Sequence, residues 1–332
     1  MNGGQEFGLG VMPAPATQGR VDFVIVMVFS LFAGSMKILT VQHATTYRYR
    51  EAVRFGEHRL MIRPRDSHDL RLLRSQLALS PPGVVRWLHD VFGNSVAIAE
   101  FAEAAAELKI VSTLTLERYA FDRPTFPVSP EATTYPFVYS TNDRTDLGRL
   151  LEQHYPDPKG EVAAWAQQFA PHKGIDTVGL LAAMNSAIKR DFAYVGRDSQ
   201  GVQSPSGTLE LRAGSCRDFA LLLIEAVRCL GFGARFVSGY IYDPILDGPA
   251  EDSMQGAGAT HAWADIYLPG AGWVEYDPTN GLVAGENLIR IAVTRDPSQA
   301  IPVDGSFIGD PQSFIAMEVQ VTVTSGTQLP PP

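Results

Sequence analysis

Three residue types in one order, Cys216, His261 and Asp277, are those a covalent acyl-transfer site needs. A thiol nucleophile requires a base that takes its proton and later returns it to a leaving amine, and histidine suits this near neutral pH. The imidazole in turn requires a group that holds its tautomer and orientation, commonly a carboxylate or an amide. Cys216 lies in GSCRDFALLLIEAVRCLGFG. Ser215 is a good N-cap, Asp218 three positions later completes a capping-box pattern, and Leu222, Leu223, Ala226, Val227 and Leu230 recur at helical spacing. This predicts a helix that begins at Cys216 and ends at Gly231 or Gly233. A thiol in a first helical turn sits against unpaired backbone N–H groups and the positive end of the helix dipole, both of which favour the thiolate.

His261 opens the strand-like THAWADIYLP, and Asp277 closes GWVEYDPTNG, with a hairpin turn between them around Pro269, Gly270, Ala271 and Gly272. A plain hairpin centred on Gly270 and Ala271 would set His261 opposite Asn280. Bringing Asp277 to the imidazole then requires a bulge or a different turn, and Asn280 stands as a rival orienting residue. Cys229 shares the helix with Cys216 at thirteen residues' separation, roughly 20 Å along the axis, so no disulfide joins them. It is read as a small buried apolar residue.

The elements that must position these residues follow from hydrophobic periodicity. Residues 38–50, 59–64, 70–79, 84–88, 95–101 and 108–116 read as six short strands, a small antiparallel sandwich or barrel over 36–120. His43, His58, His68 and His89 occur there at no metal-ligand spacing. A proline-punctuated linker covers 121–142. Helices are expected over 146–155, 161–169 and 177–192, then a loop over 194–207 that delivers the chain to the Cys216 helix. Strands follow at 234–242, 261–268, 273–276, 288–293 and 316–323. The expected catalytic domain is 143–325, and 326–332 is a tail.

Residues 1–35 form a separate extension. Its first 20 residues are rich in Gly, Pro and Ala, and residues 23–33 are an apolar run too short to span a bilayer, followed by small residues. The run is consistent with a signal or anchoring segment, with a packed helix, or with translation that starts at Met36. The chain is expected in the cytoplasm, with export and membrane association the alternative if 21–35 act as a signal or anchor. A net charge of −9 excludes a phosphate-binding face of the usual kind, so no nucleic-acid partner is expected. Asp243, Asp247, Glu251 and Asp252 form a solvated acidic loop without EF-hand spacing. No P-loop, dinucleotide fingerprint or zinc pattern occurs, and no cofactor or metal is expected.

GSCRDFALLLIEAVRCLGFGARFVSGY followed by THAWADIYLPGAGWVEYDPTNG resembles the core of the transglutaminase-like superfamily, in a bacterial branch often described as cysteine proteases. HATTYRYREAVRFGEHRLMIRPRD resembles the β-rich region that precedes this core. The resemblance implies an α+β fold, a papain-like core of helices on an antiparallel sheet, with Cys216 as nucleophile, His261 as base and Asp277 as orienting acid. It further implies thioester chemistry on protein or peptide amides, hydrolytic more than cross-linking. The oxyanion would be held by the Cys216 N–H and a second donor, for which Tyr194 and Gln203 are candidates. A binding or scaffolding protein that keeps the fold without turnover is the alternative.

Overall fold

The computed structural model describes residues 36–119, 127–196, 201–243, 254–256, 258–285 and 287–326. The expectations for 1–35, for Asp247, Glu251 and Asp252, for the first part of the linker and for 327–332 lie outside the described residues.

One strand, β1 (Met36–Arg63), organises the β-rich half. The sequence predicts two strands here with a break at 51–58, but Val53 and Phe55 continue the alternation and Gly56 falls at a register shift within the strand, so the chain bends instead of turning back. Its register shifts between Arg48 and Val53 and again between Phe55 and His58. Bulges of this kind bend a strand without ending its ladder. The first half of β1 pairs with β5 (Ala105–Tyr119), which also pairs with β2 (Leu70–Ser80). The second half pairs with β4 (Ser95–Phe101), which also pairs with β3 (Gly83–His89). Tyr49, Phe55, Leu60, Ile62, Ala97, Leu108 and Ile110 form a core shared by both halves of β1, β4 and β5.

The half expected to be catalytic begins with β6 (Thr134–Tyr135), α1 (Thr141–Leu147), α2 (Glu161–Gln167), β7 (Ile175–Asp176) and α3 (Thr177–Asp191). β6 and β7 pair, so the proline-rich linker already contributes structure from residue 134. Where periodicity suggests a helix over 146–155, α1 starts earlier, because the Ser140 hydroxyl accepts from the Asp143 N–H at 3.0 Å, and gives way after Leu147 to a short 3-10 helix over Gly148–Leu151. Next come β8 (Ala193–Tyr194), α4 (Pro205–Leu211), β9 (Ala213–Gly214) and α5 (Cys216–Cys229). The stretch expected as a loop thus leads into a helix, capped by Ser204 with Pro205 in its first turn, a start signal the sequence carries. Strands β10 (Ala234–Ile241), β11 (His261–Leu268), β12 (Gly272–Asp277), β13 (Leu282–Val283) and β14 (Leu288–Thr294) build an antiparallel sheet in the order β13-β12-β11-β10-β14. Phe219, Leu222, Leu223, Ala226 and Val227 of α5 pack with Ala262, Ala264, Ile266, Val274 and Tyr276 of the sheet into the main core.

Two further strands, β15 (Val303–Ile308) and β16 (Phe314–Gly326), lie within the expected catalytic range but pair with β1. The β-rich half is therefore completed by the C-terminal strands, and its sequence boundary near residue 120 is not a boundary in the sheet. Leu39, Val41, Leu114, Leu116, Val321 and Val323 meet Tyr240, Tyr242, Ile289 and Ile291 in a second core that joins the two sheets. Polar ties cross it as well. His43 Nδ1 lies 2.8 Å from the Tyr240 hydroxyl, and its Nε2 lies 2.9 Å from Thr45 Oγ1. Asp69 pairs with Arg118 and Arg290, and Arg290 approaches Glu275.

Burial lowers the pKa of His43 to about 4, so the folded chain keeps this ring neutral where the unfolded chain protonates it. The unfolded state then binds more protons between pH 6.5 and 4, and stability falls as pH falls through that window. Glu275, raised to about 7 by burial and the Asp265 carboxylate, acts in the opposite sense over part of the same range. The diagnostic is therefore the difference between wild type and His43→Gln. Urea unfolding at pH 7 and pH 5 should show a wild-type advantage that shrinks by about 2 kcal/mol at the lower pH. An advantage independent of pH would contradict a neutral buried His43.

Candidate active site

Cys216 is the first residue of α5, and the start of that helix is tightly fixed. The Asp218 carboxylate accepts from the Ser215 N–H and hydroxyl, each at 2.8 Å, completing the predicted capping box. It also accepts the Gln203 N–H at 2.7 Å, which ties the segment before α4 to the start of α5. The first intrahelical bond runs from Phe219 N–H to Ser215 C=O, so the Cys216 N–H lies in the turn whose donors have no helical partner. Gly214 precedes this turn in parallel pairing with Tyr194.

The hairpin carrying the other two residues settles the register problem by its turn. Leu268 pairs with Gly272, leaving three loop residues, Pro269, Gly270 and Ala271. Gly270 has φ +84°, and a Cβ there would come within 2.4 Å of the Pro127 carbonyl, so the turn depends on glycine. Compared with a turn centred on Gly270 and Ala271, this register moves the partner strand by one residue. A one-residue slip exchanges the two faces of a strand, so Asp277 comes to the face of His261 and lies diagonal to it. No bulge is needed within the described ladder.

His261 Nε2 lies 2.9 Å from Asp277 Oδ2, and both side chains are fully buried. The Asp277 carboxylate collects three more donors, the Thr279 N–H at 2.9 Å and the Asn280 N–H at 3.3 Å on Oδ1, and Asn280 Nδ2 at 2.9 Å on Oδ2. Asn280 thus supports the acid and does not replace it. Burial penalises the Asp277 anion, but the His261 charge and these donors outweigh it and hold the pKa below the usual range. Burial likewise penalises the His261 cation, and the Asp277 carboxylate with the Cys216 sulfur outweighs it, raising the pKa to about 10. His261 is therefore an imidazolium at neutral pH. Its Nδ1 makes no close hydrogen bond, and the Cys216 sulfur acts on the ring as a longer, weaker partner. Loose nucleophile contacts of this kind are usual before substrate binds.

The two candidate oxyanion donors separate. Gln203 Nε2 gives its hydrogens to the Ala213 carbonyl at 3.1 Å and Asp218 Oδ2 at 3.2 Å, so the structure removes it from that role. Tyr194 is half-buried, packs its ring edge-on to Phe219 and has its pKa raised to about 12 by burial and then by the charges of Cys216 and Asp277. Its hydroxyl stays protonated within electrostatic reach of both. Cys229 is only half-buried, accepts from Gln153 Nε2 at 2.7 Å, and is pushed up to about 11 by burial and by Asp157 and Glu225. Asp243 accepts the Met254 N–H at 3.1 Å, and among the described residues no three His, Cys, Asp or Glu side chains converge as a metal site. Residues 255 and 256, which touch this site, follow no motif in the sequence.

Residues 163–278 match the transglutaminase-like superfamily, and residues 39–117 match the bacterial transglutaminase-like N-terminal region. The chain belongs to the transglutaminase-like superfamily. Members of this superfamily are typically cysteine-dependent enzymes. An uncharacterized protein of Mycobacterium tuberculosis is 27% identical over 299 residues, covering 87% of this chain and 94% of its own length. One from Mycobacterium leprae is 25% identical over 289 residues, covering 86% and 98%. A crystal structure described as a putative cysteine protease from Cytophaga hutchinsonii shares the fold with a TM-score of 0.65 at 19% identity, covering 90% of this chain and 93% of that one. Among the described residues no helix is long and apolar enough to cross a membrane.

NMR of the His261 imidazole should find it protonated through neutral pH and titrating near 10. The stabilisation from the raised His261 pKa is complete below pH 6.5 and is lost as pH rises towards 10, whereas that from the lowered Asp277 pKa is present above the ordinary carboxylate range and is lost as pH falls through the folded value. In Asp277→Asn burial remains and the carboxylate is gone, so the ring should titrate below 6.5. A ring neutral at pH 7.5 in the wild type would contradict the ion pair.

Proposed function

We propose that this chain catalyses acyl transfer from protein or peptide amides through a Cys216 thioester, with water as the usual acceptor. The observation that carries the reading is a histidine held by a four-donor carboxylate at the N-terminus of the helix bearing the only thiol beside it. Cys216 attacks the amide carbonyl as its proton resides on His261. The imidazolium then gives the proton from Nδ1 to the departing amine while Asp277 holds Nε2. Water, deprotonated by His261, attacks the thioester and releases the acid. Hydrolysis is the default because water reaches an acyl-enzyme wherever a substrate does, whereas cross-linking needs a site for an acceptor amine. The Cys216 N–H and the Tyr194 hydroxyl would stabilise the oxyanion.

A mass-spectrometric screen of a peptide library, with and without a primary amine, separates the fates of the acyl group. Cleavage, or deamidation of glutamine, is the expected result, amine adducts would instead mark a transferase, and Cys216→Ala should abolish any product. A protein that yields none of these and whose Cys216 is alkylated with an ordinary thiol profile near pH 8.5 would be a scaffold. Tyr194→Phe should slow acylation by p-nitrophenyl acetate by about 100-fold. Alkylation by iodoacetamide, which forms no oxyanion, should be unchanged. Equal rates in both assays would remove Tyr194 from the mechanism.

A further inference from the structure

Asn280 makes more contacts than an acid's helper requires. A side-chain amide has one acceptor and two donor hydrogens. Its Oδ1 accepts the Gln255 N–H at 3.0 Å, and its Nδ2 donates to the Gln255 carbonyl at 3.2 Å and to Asp277 Oδ2 at 2.9 Å. The amide pairs with the Gln255 backbone as a neighbouring strand would, and its remaining hydrogen goes to the same oxygen that holds His261. The Asn280 carbonyl is anchored by Lys189 Nζ at 2.8 Å.

The backbone held in this way lies against the catalytic ring. Gly256 has φ +91°, and a Cβ on it would stand 2.6 Å from His261 Nδ1, the nitrogen not committed to Asp277. Glycine is therefore required there for backbone conformation and for space. Cys216 is only 7% exposed and His261 2%, and Gly256 lies beside the nitrogen that would hand its proton to a leaving amine.

We propose that Asn280 is a positioning residue that yokes the Gln255–Gly256 backbone to the Asp277 carboxylate, making that backbone the wall on the leaving-group side of Cys216. The inference rests on Cys216 as the nucleophile of the proposed reaction. Under it, the bulk admitted beside the nucleophile and the orientation of the imidazole are set by one side chain.

The test uses the full-length chain, two alkylating reagents of different bulk, iodoacetamide and N-phenylmaleimide, and mass spectrometry resolved by site from pH 5 to 9. In Asn280→Ala, the rate ratio of bulky to small reagent at Cys216 should rise at least tenfold. The low-pH limb of its iodoacetamide profile should move about one unit towards that of an ordinary thiol. Cys229, remote from the yoke, is the internal control and should keep its wild-type rates. Asn280→Asp preserves shape and can still accept from Gln255 but donates nothing. It should reproduce the change in ratio and serves if the alanine variant does not fold. Ratios and profile within twofold of wild type, or a change of equal size at Cys229, would overturn the yoke. A wild-type Cys216 with an ordinary thiol profile would instead overturn the enzymatic reading on which it rests.

Discussion

The hydrogen-bonded charge pair between His261 and Asp277 is the constraint around which the catalytic half is built. Taking two charges out of water is costly, and a buried pair persists only where geometry and further donors offset the loss. Here the carboxylate takes two backbone N–H groups from the turn after β12 and one side-chain amide besides the imidazole. Removing His261 leaves the Asp277 carboxylate buried without its counter-charge, and breaking such a pair costs about 3–5 kcal/mol in comparable cases, whereas removing Asp277 makes the buried imidazole shed its proton. In the proposed reaction the same pairing that stabilises the imidazolium would supply the proton a departing amine needs. Stability and chemistry therefore draw on one contact.

That contact depends on the sheet register, and the register depends on a tight turn far along the hairpin. Gly270 fits against the Pro127 carbonyl and the Ser129 backbone where no side chain has room. Ser129 N–H in turn donates to the Pro269 carbonyl at 2.8 Å, so the segment before β6 clamps the tip of the hairpin. Packing of α5 on the sheet then brings the helix N-terminus to the imidazole. The site is thus an agreement between a turn, a ladder and a helix cap.

The sequence makes much of this legible where a local rule is strong. The start of α5 follows from Ser215 and Asp218, and the identity of the three residues follows from chemistry and motif. The superfamily and its α+β core are likewise readable from the Cys216 and His261 segments. Hairpin register is less legible, because two-residue and three-residue turns through Pro-Gly-Ala-Gly differ by tertiary contacts that only folding supplies. The length of β1 escapes because a bulged bend and a loop have similar compositions. The return of β15 and β16 to β1 is a long-range pairing with no local signature, and Gln255 meets Asn280 through its backbone, which leaves no trace in side-chain type.

The pairing of β16 along the first half of β1 also bears on the order in which the protein can be made. β1 leaves the ribosome well before its edge partner, with the whole catalytic region synthesised between them. Until β16 arrives, one long side of β1 carries unpaired N–H and C=O groups, the kind of template on which other chains can pair. The β-rich half therefore cannot mature as an independent co-translational unit. Its closure waits for the catalytic region, so a nascent chain stalled before residue 314 exposes an open β edge that the finished protein never shows.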